Sequence, residues 1–75
     1  MSKNIIGQRL KIARKNADPK VTQVDLLARL EVRGLFLEKT TISKIESGTR
    51  PVTDIELMAI AEALRVSPHW LLGLE

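Results

Sequence analysis

Lys39, Thr40, Ser43, Lys44 and Ser47 crowd into one short segment, and their types and spacing define a chemistry. Set on a helix at about 100° per residue, Thr40, Ser43, Lys44 and Ser47 fall on one side, with Lys39 at the edge of the first turn. Ile42, Ile45 and Glu46 cluster on the other side. The polar side is short, cationic and free of large apolar groups. Small hydroxyl side chains allow close approach to another surface. A lysine ammonium can donate to the O6 and N7 acceptors of guanine in a major groove, and a threonine methyl can meet the methyl of thymine. An ordinary solvated helix face has the same composition, so the face alone leaves both readings open.

Other chemistries lack their residues. There is no cysteine, and His69, the one histidine, has no acid at ligand spacing. His69 therefore reads as a surface residue. No metal site, cofactor or small-molecule ligand is implied. There is no acid–histidine pair and no phosphate-cradling glycine loop, and 75 residues leave little room for a substrate pocket of ordinary size. An enzyme is not expected. No apolar run approaches the ~20 residues of a membrane span. Two isoleucines before Gly7 do not make a signal peptide. The absence of cysteine fits a reducing cytoplasm, and the 44% hydrophobic fraction fits a folded chain.

The net charge is +3, and it is unevenly spread. Residues 1–50 hold eleven Lys and Arg against five Asp and Glu, whereas residues 51–75 hold Arg65 against four acids. A basic front and an acidic back suit a surface that meets a polyanion. A solvated charged face accounts for the same distribution.

The elements that must carry these residues are helical. Ile6, Leu10, Ala13 and Ala17 repeat at helical spacing and predict a first helix over about residues 4–16, broken at Asp18-Pro19. Thr22 and Asp25 open a second helix with Leu26, Leu27 and Leu30 inward, and Gly34 is its expected stop. Leu35-Phe36-Leu37 is an apolar connector, with Phe36 expected to pack it onto the body of the protein. A third helix is expected over about 38–47, closed by Gly48. Thr53 and Glu56 form a capping box for a fourth helix, whose inner side is expected around Ile55, Met58, Ala59, Ala63 and Leu64. Ser67-Pro68 opens a short fifth helix, ended by Gly73. No segment alternates with period two over a useful length. The expectation is an all-α, compact five-helix bundle forming a single domain over residues 1–75.

Four runs in this order resemble a known family: Gly7–Arg14, Thr22–Ala28, Thr41–Gly48 and Ala61–Leu72. Together they look like the phage-repressor-like (Cro-type, lambda-repressor-like) helix-turn-helix DNA-binding domains, and the likeness spans essentially the whole chain. The resemblance implies a helix-turn-helix made by helices 2 and 3, sequence-specific binding to double-stranded DNA, and a transcriptional regulator, expected to be a repressor. It implies that Gln23 anchors the second helix to backbone phosphate, and that Lys39, Thr40 and Lys44 touch base edges. It further implies that Arg14 and Glu46 form a structural ion pair, and that Gly48 and Arg50 lie in a loop that meets the backbone. Ser43 and Ser47 complete the candidate DNA-binding set. Homodimers are usual in the family, and Trp70, Leu71 and Leu74 are the candidates for a seam. For Trp70 a core role is an equal alternative.

The sequence departs from the family at one place. Leu30 and Ile42 have eleven residues between them, so the connector is lengthened, either as extra helix ending near Gly34 or as a longer loop. Glu38 stands where Ser or Thr is preferred as the cap of the third helix. An interaction module or antitoxin that kept the fold and lost DNA affinity is the alternative function. The cationic outer side of the third helix argues for DNA.

Overall fold

The computed structural model describes residues 2–75. Five helices follow one another: α1 Gly7–Asn16, α2 Gln23–Val32, α3 Lys39–Ser47, α4 Asp54–Leu64 and α5 Pro68–Leu71. No strand occurs among the described residues. Helix α3 packs against both α1 and α2, α4 packs against α1, α2 and α5, and α5 closes back on α1. Each helix sends at least one large side chain into the shared core. Leu10, Leu26, Leu30, Ile42, Ile45, Ile60 and Leu71 are all fully buried there. Burial of each contributes about 1.5–3 kcal/mol before the entropy of ordering the chain is set against it.

The helix ends follow from local chemistry. Thr22 Oγ1 accepts from Asp25 N at 3.0 Å while the Asp25 carboxylate accepts from Thr22 N, and Thr53 with Glu56 repeats this arrangement at the start of α4. Two otherwise orphaned N–H groups are satisfied each time. Ser67 Oγ caps α5 by accepting from Trp70 N. At the other end of α3, Gly48 sits at φ +79°, and Thr49 N donates back to Lys44 O at 2.9 Å. That left-handed turn is cheap for glycine and stops the helix. Arg65 takes the same conformation after α4 at φ +57°, without glycine's freedom.

The structure corrects several expectations. Helix α1 begins at Gly7 rather than near Asn4, because Asn4 caps it from outside: its Oδ1 accepts from Ile6 N at 3.1 Å and Gly7 N at 2.8 Å. The lengthened connector divides between the two alternatives: α2 runs past Leu30 to Val32 and stops at Gly34, which turns left-handed at φ +80°, and the rest is loop. Leu35 N donates to Leu30 O, and residues 35–38 carry no regular structure up to Glu38, the extended N-cap of α3. Phe36 does not pack onto the bundle; it is 74% exposed, while Leu35 and Leu37 on either side lie against the core. In α4 the inner side is Glu56, Ile60, Ala61, Ala63 and Leu64, and Ile55 and Met58 face solvent. Leu57, Ile60, Ala61 and Leu64 form the apolar stripe that meets the core, and Glu56 lies on the same side with its carboxylate against Arg50.

Candidate nucleic-acid interface

Helix α3 is held from behind at three points. Gly7 at the start of α1 touches its backbone: a Cβ at that position would lie 2.2 Å from Ile45 O and 2.9 Å from Glu46 O. Only a residue without a side chain lets the two helices come so close. Asn4 donates through Nδ2 to Ile45 O at 3.0 Å and to Arg50 O at 2.8 Å, so carbonyls at the end of α3 and in the next loop share one amide. Arg14, buried on α1, grips Glu46 through Nε–Oε2 at 2.6 Å and Nη2–Oε1 at 3.0 Å, and gives Nη1 to Val21 O. The two side chains are 9% and 7% exposed, so the pair is desolvated and every donor must find an acceptor. No buried side-chain nitrogen or oxygen lacks a partner among the described residues.

The opposite side of α3 is open. Lys39, Thr40, Ser43, Lys44 and Ser47 are all exposed. Neither lysine enters an ion pair among the described residues, so both ammonium groups are available to an external acceptor. Ser47 Oγ donates to Lys44 O at 3.1 Å and lies 3.1 Å from Thr49 Oγ1, which ties it to the end of its own helix. Gln23, in the first turn of α2, bridges the two helices. Its Nε2 donates to Glu46 Oε1 at 3.3 Å and its Oε1 accepts from Ser43 Oγ at 3.4 Å. The start of α2 and the middle of α3 thus share one edge of the molecule. The lowered pKa of Asp25 belongs to the same turn, and comes first from the Thr22 N–H that its carboxylate accepts.

Arg50 stands differently from the other candidates. Its Nη1 and Nη2 each lie 2.9 Å from a Glu56 oxygen, and Nη1 also donates to Pro51 O. These bonds raise the Arg50 pKa further and hold the Glu56 carboxyl below its ordinary range, with burial of Glu56 opposing. The guanidinium locks the loop after α3, and its side chain is 31% exposed. The seam candidates also separate. Leu71 is completely buried in the core and presents nothing to a second chain. Trp70 is half-buried beneath Arg9, whose guanidinium carbon lies 5.1 Å from the ring centroid and whose Nη1 donates to Trp70 O. Leu74 is exposed. Asn4 and Gly7 were not singled out for these roles from the sequence. A glycine opening an apolar-periodic helix was the one available sign of Gly7, and Asn4 carried none.

Among the described residues no group of three or more His, Cys, Asp and Glu is placed to hold a metal ion, and no helix is long and apolar enough to cross a membrane. Residues 37–71, from the end of the connector through α5, match the family model described as Helix-turn-helix. The match opens where the lengthened connector ends and leaves α1 and α2 outside it. No curated protein matches the chain. The family match supports a DNA-binding transcription regulator in general terms, and the five helices without a strand among the described residues are consistent with a lambda-repressor-like helix-turn-helix bundle.

Proposed function

We propose that this chain is a sequence-specific repressor that binds double-stranded DNA as a homodimer, with α3 in the major groove. The observation that carries the reading is the outer side of α3. Lys39, Thr40, Ser43 and Lys44 are exposed, and both lysines are unpaired among the described residues, on a helix clamped from behind by Gly7 and by the Arg14–Glu46 pair. A helix that inserts into a groove must be rigidly aimed and must present donors that are not already spent on its own protein. In this reading Lys39, Thr40 and Lys44 touch base edges, Ser43 and Ser47 line the approach, and Gln23 meets a phosphate at the edge of the groove. Arg50 acts indirectly, by fixing the loop that follows α3.

Repression needs only occupancy of the site, which a single bundle can supply. We take residues 1–75 as one domain, and the cysteine-free chain suits a reducing cytoplasm, where we place it. One recognition helix reads only a few base pairs, and two-fold repetition doubles the site, with half-sites about 34 Å apart. Selection of bound sequences from a random duplex pool tests the reading. A two-fold symmetric motif is expected. Recovery of no motif, with no duplex binding at low salt, would leave the interaction module in its place.

A further inference from the structure

The connector puts an aromatic side chain beside the entry of α3. Residues 35–38 lie outside any helix, end in extended backbone at Glu38, and alternate in burial, with Leu35 and Leu37 half-buried and Phe36 and Glu38 exposed. Leu35 and Leu37 are packed against the core, which forces Phe36 and Glu38 outward together. Phe36 is 74% exposed and is the chain's one phenylalanine. Its Cα lies within about 11 Å of that of Lys39, the reach of three extended residues. Glu38, the N-cap of α3, makes no side-chain capping bond and lies in no ion pair among the described residues. An outward edge bearing a carboxylate is repelled by phosphates. It is tolerated in the major groove, where cytosine and adenine present amino donors.

We infer that the lengthened connector is a second base-reading element, in which Phe36 packs against the C5-methyl group of a thymine next to the bases met by Lys39 and Thr40. The inference rests on the proposal that α3 enters the major groove. The phenyl ring has no hydrogen-bonding edge, and the thymine methyl is the one apolar group that the major groove presents. Docking of α3 by its first turn carries the preceding residues to the groove wall. The long connector thereby turns a residue that a tight turn would lack into a determinant of sequence.

The test uses the full chain and the best-bound duplex from the random pool, remade with deoxyuridine replacing thymidine one position at a time. Loss of the methyl at one position is expected to weaken the wild-type protein about fourfold, the worth of one buried methyl. The same change is expected to leave the affinity of Phe36→Ala unaltered. Circular dichroism should show the variant folded, since the side chain it loses is exposed. Equal methyl sensitivity in both proteins overturns the inference, as does a Phe36→Ala complex that changes its stoichiometry, which would assign the ring to contact with a second copy. Failure of the wild-type protein to bind any duplex would instead remove the DNA reading on which the inference rests.

Discussion

Arg14 and Glu46 meet fork to fork, Nε to Oε2 at 2.6 Å and Nη2 to Oε1 at 3.0 Å, between α1 and α3. The same Oε1 also accepts from Gln23 Nε2 at 3.3 Å, so one carboxylate joins three helices. Truncating one partner of such a pair leaves a desolvated charge behind, at a cost of about 3–5 kcal/mol. A domain of this size has a total stability of roughly 4–11 kcal/mol. Glu46→Ala is therefore expected to lose about 3–5 kcal/mol in urea unfolding, a large part of that stability. Arg14→Met with Glu46→Leu should recover much of the loss in urea unfolding, because both charges are then gone. A double variant no more stable than Glu46→Ala would contradict this account of the pair.

Gly7→Ala should separate α1 from α3. The added methyl would sit 2.2 Å from the Ile45 carbonyl oxygen, a backbone atom that cannot rotate away. Alanine's better helix propensity offers up to about 1 kcal/mol in return, less than the strain of about 1–3 kcal/mol or more expected from overpacking. With a backbone atom as the obstacle the strain falls at the upper end of that range, so a net loss of about 2 kcal/mol is expected in urea unfolding, and unchanged or raised stability would show that the two helices have room to relax.

Acid should loosen the α3–α4 loop through Glu56. Its pKa is lowered from 4.5, first by the hydrogen bonds from Arg50. A carboxylate held below its ordinary pKa stays charged in the fold at pH values where the unfolded chain already takes up a proton. Its stabilisation is therefore complete above about pH 4.5, the unfolded value, and is lost as pH falls through the folded value. Glu56→Gln should lower stability by about 1–2 kcal/mol at pH 7, and the gap to wild type should close below pH 4. A gap that stays constant from pH 7 to pH 3 would show that the charge on Glu56 contributes nothing.

Much of this architecture was legible because helix ends are written in local chemistry. Thr22, Thr53 and Ser67 cap the helices they were expected to cap, and Gly34 and Gly48 end theirs in the left-handed conformation. The sequence of α4 offers two apolar stripes, one through Ile55, Met58 and Ala59 and one through Leu57, Ile60, Ala61 and Leu64, and the fold buries the second, with Glu56 beside it against Arg50 and with Ile55 and Met58 in solvent. The start of α1 was misread for a non-local reason, since Asn4 caps it while also bonding to residues more than forty positions away. For the candidate site, the polar side of α3 could be read from spacing alone. The commitment of Arg50 to Glu56 and the burial of Leu71 depend on tertiary packing, which spacing does not encode.

Lys44→Ala and Gln23→Ala should differ in kind. Lys44 is exposed and unpaired among the described residues, so its loss is expected to relax preference at one base position by about 1–3 kcal/mol. Gln23 is braced by Ser43 and Glu46, and its loss should weaken all duplexes alike. Wild-type affinity should fall with salt, by a slope of about 0.9 in log K per phosphate met. Fluorescence anisotropy on a panel of single-base variants decides it, and equal weakening at every site by both substitutions would remove α3 from base recognition.

The dimer proposal now rests on fewer residues, which sharpens its test. Leu71 is fully buried and cannot form a seam, and Trp70 is partly occupied by Arg9 stacked on its face. Leu74 remains, 71% exposed and just beyond the end of α5. An aspartate at an exposed position costs the monomer little, since surface changes usually stay within about 0.5 kcal/mol. The same aspartate at a two-fold seam is duplicated, so two carboxylates face each other across the axis and repel. Leu74→Asp is therefore expected to melt within a few degrees of wild type while losing the complex of two chains on a symmetric duplex. Sedimentation of both proteins with that duplex measures the outcome directly. A wild-type complex that saturates at one chain per symmetric site would end the dimer proposal. A two-chain complex that survives Leu74→Asp would move the seam to another face.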